Sequence, residues 1–201
     1  MVLPELATAG AARYRIDPAS SFIHLKVYRD GALAKLGHNH VIAALNLQGM
    51  VYRQRKLSDS SFELIIPVAS MAVDRPADRR VAGPEFAGEL RQEFIDGTRR
   101  NMLGPDLLQA DRYPNIVMRS VSMSGRMPEV TWTVRVQVRG VVKELRLPAL
   151  MSLADDRIVV QGAVQLTHGQ LGLTPFSVMG GKLRVRDTID AEFHLVARPA
   201  D

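Results

Sequence analysis

The feature that most constrains the fold of this chain is a strict alternation of apolar and polar residues over several long stretches. From Val130 to Val138 every even-numbered position is apolar, and from Leu183 to Leu195 most odd-numbered positions are apolar. A pattern of period two places one face of an extended strand against a core and leaves the other in water. These stretches therefore predict half-buried β-strands in an antiparallel sheet.

The same pattern marks further strand candidates, which cover residues 21–28, 41–51, 61–69, 115–124, 141–147 and 158–166. With the two stretches above, the chain has about eight strands in a mostly antiparallel meander. A twisted sheet of about eight strands tends to close into a barrel that has room for one small ligand. We therefore expect an all-β fold, namely a roughly eight-stranded antiparallel barrel with one helical insertion.

The insertion interrupts the strand pattern in the middle of the chain. Residues 74–83 are charged and are predicted to form a loop. Phe86, Leu90 and Phe94 then follow at intervals of four residues, which predicts a helix with one apolar face packed on the sheet. We place this helical insertion at about residues 84–112.

Length and composition indicate one globular domain. The 201 residues are 46% hydrophobic and 23% charged, and no cysteine is present, so disulfides, thiol catalysis and cysteine-ligated metal centres are excluded. No apolar run approaches the roughly 18 residues needed to span a membrane. We expect a flexible N-terminal segment of residues 1–12 followed by a single domain of residues 13–201.

The net charge of +5 indicates a solvated basic surface rather than a nucleic-acid interface. Basic residues are scattered along the chain, and aromatic residues make up only 5% of it, too few for a base-stacking platform. We therefore expect no nucleic-acid partner, while a weak attraction to anionic lipid or phosphate stays open.

Two histidines lie close together in Leu36-Gly37-His38-Asn39-His40, between two strand candidates. Residues two apart on a strand point to the same side, with Cα atoms about 6.6 Å apart. His38 and His40 can therefore meet at one metal, anion or ligand headgroup. Zinc usually takes at least three protein ligands, so a metal site needs a third. The alternative is that both rings bond backbone groups at a turn, with Gly37 supplying the bend.

Residue parity predicts where the histidines lie relative to the barrel. His24, His38 and His40 are even-numbered, whereas the regular apolar positions of the flanking strands are odd-numbered. All three are therefore expected outside the barrel, unless a bulge near Gly37 reverses the side for His38 and His40. His168, in a Gly-rich loop, is interpreted as a turn histidine that bonds backbone groups.

The apolar strand faces supply candidates for the lining of a ligand pocket. These candidates are Ile23, Leu25, Val27, Val41, Leu45, Trp132, Val134, Val185 and Phe193. The alternative is that the same side chains fill the barrel solidly. Alternation cannot separate the two cases, because a filled and a hollow barrel produce the same pattern.

Four stretches together resemble one known family by their order and spacing. They are Tyr14–Ser21, Leu108–Ile116, Val138–Lys143 and Leu171–Phe176. Within residues 13–197 they resemble the YceI-like family of lipid-binding proteins. The Gly37–His40 element resembles a subgroup in which Gly-His-x-His recurs.

The resemblance implies a lipocalin-like barrel that holds a long isoprenoid, a quinone-like lipid or a related amphiphile, with no other cofactor. It also implies a non-enzymatic binding or carrier role. For location, the resemblance implies the periplasm, whereas the sequence as given, if it is complete, indicates the cytoplasm. Homodimerisation stays open.

Two other hypotheses compete with this one. The first is a metal-dependent enzyme or redox protein that uses His38 and His40 with a third ligand. The second is an interaction module whose barrel is solid.

Overall fold

The computed structural model describes residues 1–154 and 156–200 and shows, over these residues, a closed antiparallel barrel with two α-helices. Its strands are β1 (Ala12–Ile16), β2 (Phe22–Asp30), β3 (His40–Ala44), β4 (Gln48–Arg53), β5 (Ser61–Pro67), β6 (Ala72–Val73), β7 (Asn115–Arg126), β8 (Glu129–Val138), β9 (Val141–Ala154), β10 (Arg157–Thr167), β11 (Ser177–Val178) and β12 (Leu183–Pro199). The helices are α1 (Pro76–Ala82) and α2 (Gln92–Leu103).

The barrel closes because the last strand pairs with the first. Its order is β1-β4-β5-β7-β8-β9-β10-β12, and β12 returns to β1 with Tyr14 opposite Pro199. β2, β3 and β6 continue the sheet from β12, since β2 pairs with both β12 and β3, and β3 pairs with β6. The prediction of an eight-stranded antiparallel barrel is confirmed for the residues that the structure describes.

The predicted strand 41–51 is in fact two strands joined at a bend. β3 ends at Ala44, and Asn46 adopts a φ of 53°, a left-handed conformation that asparagine tolerates better than most residues. Even-numbered Ile42 and Ala44 border the interior before the bend, and odd-numbered Val51 borders it afterwards. The prediction of one continuous strand with an odd apolar face was therefore wrong in its first half.

The helical region also differs from the prediction. α1 lies within the segment predicted as a loop, and Pro76 occupies its first turn, where proline is favoured. Phe86 lies in a short 3-10 turn, whereas Phe94 lies in α2, so the apolar stripe does not belong to one helix. α2 instead buries Met102 against the barrel core. Within the described residues, neither helix is long and apolar enough to cross a bilayer.

A second, smaller core lies on the outside of the barrel. It consists of Val41 and Phe86, which are fully buried, and of Ala82, which is buried almost completely. Tyr28 packs at the edge of this cluster. Burying a side chain the size of phenylalanine contributes about 1.5–3 kcal/mol. This cluster therefore attaches α1 and the following turn to β2 and β3, next to one end of the barrel.

The N-terminal segment runs along the outer barrel wall. Backbone carbonyls of Val2, Pro4 and Ala7 accept hydrogen bonds from side chains of the wall, including Arg135 and Arg119. These bonds tie residues 1–12 to the outside of the sheet and leave the interior free.

A candidate ligand cavity with one polar end

A cavity of about 370 Å³ occupies the barrel interior. Binding sites for small molecules typically measure about 300–1,000 Å³. Several inward-facing side chains, including Ile23, Leu25 and Phe193, are only half-buried although they belong to the inner wall, because they border this cavity. The barrel is therefore hollow, which argues against the hypothesis of a solid interaction module.

One end of the cavity is entirely apolar. Trp132, Phe62, Met151 and Ala197 are among the side chains that line it. The rings of Phe62 and Trp132 meet edge to face, with centroids 5.2 Å apart, a favoured geometry for aromatic pairs. The described residues that line this end include no group that could anchor a charged or strongly polar part of a ligand.

Among the residues that the structure describes, the polar side chains that border the cavity all lie at the opposite end. They are Arg29, His38, His40, Thr98, Asn101, His168 and Arg184. They come from the end of β2, the start of β12, the start of β3 and the residues just before it, α2 and the loop after β10. The exposed lining residues, such as Arg29, Val178 and Arg184, lie at this end too. We therefore call it the entrance.

Most of the side chains predicted to line a pocket do border the cavity. They are Ile23, Leu25, Val27, Trp132, Val185 and Phe193. Val41 lies on the other face of β3, in the outer core, and Leu45 lies at the bend that follows. Val134 is fully buried in the main core but does not border the cavity. Val41 and Leu45 were misplaced because the parity of the strand changes at Asn46.

The structure places His38 and His40 at the cavity, not outside the barrel. His40 pairs with Val27 across β2 and β3, and Val27 faces the interior, so His40 does as well. The prediction of external histidines was wrong for this pair, because it assumed that odd residues of the β3 stretch face inwards. His24 does lie outside, with Nε2 3.3 Å from an Asp78 carboxylate oxygen on α1.

A buried carboxylate fixes the orientation of His40. Asp74 Oδ2 lies 2.5 Å from His40 Nδ1, while Asp74 Oδ1 accepts bonds from the Arg79 guanidinium at 2.7 Å and from the Val41 N–H at 2.9 Å. Burial raises the pKa of Asp74, but these bonds and the nearby His40 outweigh burial, so the pKa lies below the usual 3.8. Asp74 is therefore an anion near neutral pH, and His40 Nδ1 carries the proton of this bond.

Because Nδ1 is held by Asp74, the Nε2 atom of His40 is the one that faces other groups. Thr98 Oγ1 on α2 lies 3.3 Å from it. In the neutral ring Nε2 accepts a hydrogen bond, and the Thr98 hydroxyl donates it. His40 thus offers a ligand one oriented nitrogen beside one hydroxyl group.

His38 lies between His40 and Phe94 and is half-buried. Its ring centroid is 6.2 Å from that of His40 and 4.7 Å from that of Phe94. Burial, and then the proximity of His40, lower the pKa of His38 below 6.5, so its ring is neutral at pH 7. Across the described residues, no three His, Asp or Glu side chains are grouped closely enough to bind one metal ion.

His168 borders the entrance as a fixed wall residue. Its side chain is 5% exposed, and its Nδ1 donates to the Asp187 backbone carbonyl at 2.8 Å. The interpretation of His168 as a turn histidine that bonds backbone is confirmed by this bond, and the structure adds that the ring borders the cavity.

Four residues at this end of the cavity were not predicted from the sequence, namely Asp74, Arg79, Thr98 and Asn101. Asp74 and Thr98 are 34 and 58 residues from His40 along the chain, so no local motif links them. One available signal was the charged segment that contains Asp74, which was interpreted only as a loop.

Comparisons with known proteins agree with this architecture. The family model of the YceI-like domain matches residues 14–197. No curated protein matches the sequence significantly.

Solved structures share the fold at low sequence identity. BcnA of Burkholderia cenocepacia is 15% identical, with a TM-score of 0.65 over 90% of this chain and 98% of that one. A YCEI protein of Campylobacter jejuni is 12% identical, with a TM-score of 0.51 over 78% of this chain and 82% of that one. A mutant CJ YCEI protein with a monobromobimane guest is 11% identical, with a TM-score of 0.55 over the same shares of the two chains.

Proposed function

Because this chain belongs to the YceI-like family, we propose that it binds and carries a long-chain apolar ligand, an isoprenoid, a quinone or a similar amphiphile, inside its barrel without catalysing a reaction. The observation that carries this proposal is the polarity of the cavity. In the part of the chain that the structure describes, one end is lined by apolar side chains, and the polar lining residues lie at the other. An amphiphile with one long tail and one small headgroup has the same asymmetry.

The apolar wall supplies the affinity. Each methylene group moved out of water contributes about 0.8 kcal/mol. A long tail therefore binds tightly without a polar anchor, provided that the cavity already exists. The orientation follows from the other end, where His38, His40 and Thr98 can meet a headgroup.

Trp132 offers a direct test. It is the only tryptophan of the chain, and it lines the cavity at the end away from the entrance. We would titrate prenols and quinones that differ only in tail length while recording tryptophan fluorescence. We expect affinity to rise with tail length until the cavity is full, and the emission of Trp132 to change only when the tail is long enough to reach it.

Variants of β12 sharpen this experiment. Ala191 borders the middle of the cavity, and Ala197 borders it six residues further along the strand, about 20 Å away at 3.3 Å per residue. Ala191→Phe should shorten the longest accepted tail more than Ala197→Phe does. Ala163→Phe, on the exposed face of neighbouring β10, is the matched control and should have no effect. A flat affinity across all tail lengths, with both lining variants silent, would contradict the proposal.

A further inference from the structure

Two loops at the cavity entrance carry exposed apolar side chains that the protein core does not use. We call residues 31–37 and 177–183 the entrance loops; the second includes the two-residue strand β11 and the first residue of β12. Leu36 and Met179 are 65% and 62% exposed. Val178, next to Met179, is exposed and also lines the cavity. The outer surface and the ligand path therefore meet at these loops.

The entrance loops touch each other and form one surface. The Leu33 N–H donates to the Lys182 carbonyl at 2.8 Å. Gly31 has a φ of 94°, and a Cβ atom there would lie 2.5 Å from the same carbonyl oxygen, so only glycine allows this approach. Gly37 packs against the Leu183 side chain, since a Cβ atom on Gly37 would lie 3.0 Å from Leu183 Cδ1.

The charge around these side chains is basic. Residues 29–37 and 177–187 contain five Lys or Arg residues and two Asp residues. Asp30 is neutralised by Arg184, at 2.9 Å. Lys35 and Lys182 are exposed beside Leu36 and Met179. Exposed apolar side chains with basic neighbours match the chemistry of an anionic lipid surface, with acyl chains below and phosphate groups at the boundary.

We propose that the entrance loops dock the barrel onto anionic lipid membranes, with Leu36 and Met179 inserted among the lipids and Lys35 and Lys182 at the phosphate groups. This proposal rests on the carrier function above. Docking places the cavity entrance against the bilayer, so that a long apolar ligand passes between membrane and barrel without crossing water. Passage through water is the step with the highest free energy for such a ligand, because its whole tail would be hydrated there.

The test is the binding of purified protein to two kinds of vesicles in a sedimentation assay. One kind contains equal parts phosphatidylglycerol and phosphatidylcholine, and the other contains phosphatidylcholine alone. We expect binding to the anionic vesicles that weakens as salt is added. Leu36→Glu combined with Met179→Glu should reduce it at least tenfold. Each of Lys35→Gln and Lys182→Gln should reduce it about fivefold.

The matched control is Leu150→Glu. Leu150 is 47% exposed on β9, next to Met151 at the apolar end of the cavity, and its substitution should leave vesicle binding unchanged. Ligand uptake from detergent, monitored through Trp132, is measured for the same variants. The Leu36 and Met179 double variant should retain uptake, which shows that it folds and that its cavity works.

Three results would overturn the proposal. The first is that the wild-type protein does not bind anionic vesicles. The second is that Leu150→Glu lowers vesicle binding as much as the double variant does. The third is that the protein self-associates through the entrance loops and that the double variant abolishes this self-association but not vesicle binding. If uptake from detergent succeeds while vesicle binding fails, the carrier function stands and only docking is refuted. If uptake fails for the wild type, the carrier function is refuted separately.

Discussion

Removing the Asp74 carboxylate should destabilise the protein far more than removing another aspartate that is also paired with arginine. The side chain of Asp74 is fully buried and accepts bonds from Arg79, His40 and Val41. The Arg79 side chain is itself only 9% exposed. Asp74→Ala would leave this guanidinium buried without its anionic partner, which typically costs about 3–5 kcal/mol.

The matched control is Asp30→Ala, which also removes an aspartate from an Asp–Arg pair. Asp30 and Arg184 are 40% and 50% exposed, and exposed pairs contribute about 0–1 kcal/mol. Asp74→Asn should lie between the two variants, because the amide keeps the size of the side chain and one oxygen acceptor but loses the charge.

The assay is urea unfolding at pH 7, followed by circular dichroism and by the fluorescence of Trp132. Extrapolation to water gives the free energy of unfolding for each variant. A loss for Asp74→Ala no larger than that for Asp30→Ala would refute the claim that the buried ion pair holds this end of the barrel together.

Two further predictions concern acid and the outer core. The pKa of Asp74 is lower in the folded protein than its usual 3.8, so its contribution to stability is complete above about pH 4 and is lost as pH falls through the folded pKa. The difference in unfolding free energy between wild type and Asp74→Ala should therefore shrink as pH falls through that range. A difference that stays constant with pH would contradict this prediction. Phe86→Ala should lower the free energy of unfolding, measured in urea, by about 3–5 kcal/mol because Phe86 is fully buried. The same change at half-buried Phe94 should lower it less. Equal losses of stability in the two variants would show that burial does not set the difference.

The barrel was predictable from sequence because the alternation of apolar and polar residues is visible within each strand by itself. Val130 to Val138 alternates without interruption, and the same residues form β8. Side-chain direction was predictable only as far as the strand stays extended. Asn46 interrupts the extended backbone, so Val41, before it, faces outwards, whereas Val51, after it, faces inwards. A left-handed asparagine has no signature that distinguishes it from a solvent-exposed one within a strand.

The entrance was less predictable because its groups come from distant parts of the chain. The histidine pair was visible from its spacing, but the carboxylate that orients His40 comes from a segment interpreted as a loop. Asp74 directly follows β6, and it lies beside β3 because the two-residue strand β6 pairs with β3, a pairing that no pattern in the sequence indicated. Local patterns report the face of a strand, whereas the partner of a buried side chain is decided by how strands and helices pack.

The pairing of Tyr14 with Pro199 has a consequence for how the chain folds during synthesis. Nearly the whole chain lies between these two residues, and β12 also provides the edge for β2 and β10. Loops of this length close slowly, and strands dominated by distant contacts fold late. A ribosome adds about 5–20 residues per second, so strands β1 to β10 are made before β12, the first of them by about ten seconds or more. During that interval the inner wall, Trp132 included, has no completed barrel around it. The nascent chain is therefore most exposed to aggregation just before its final strand is made.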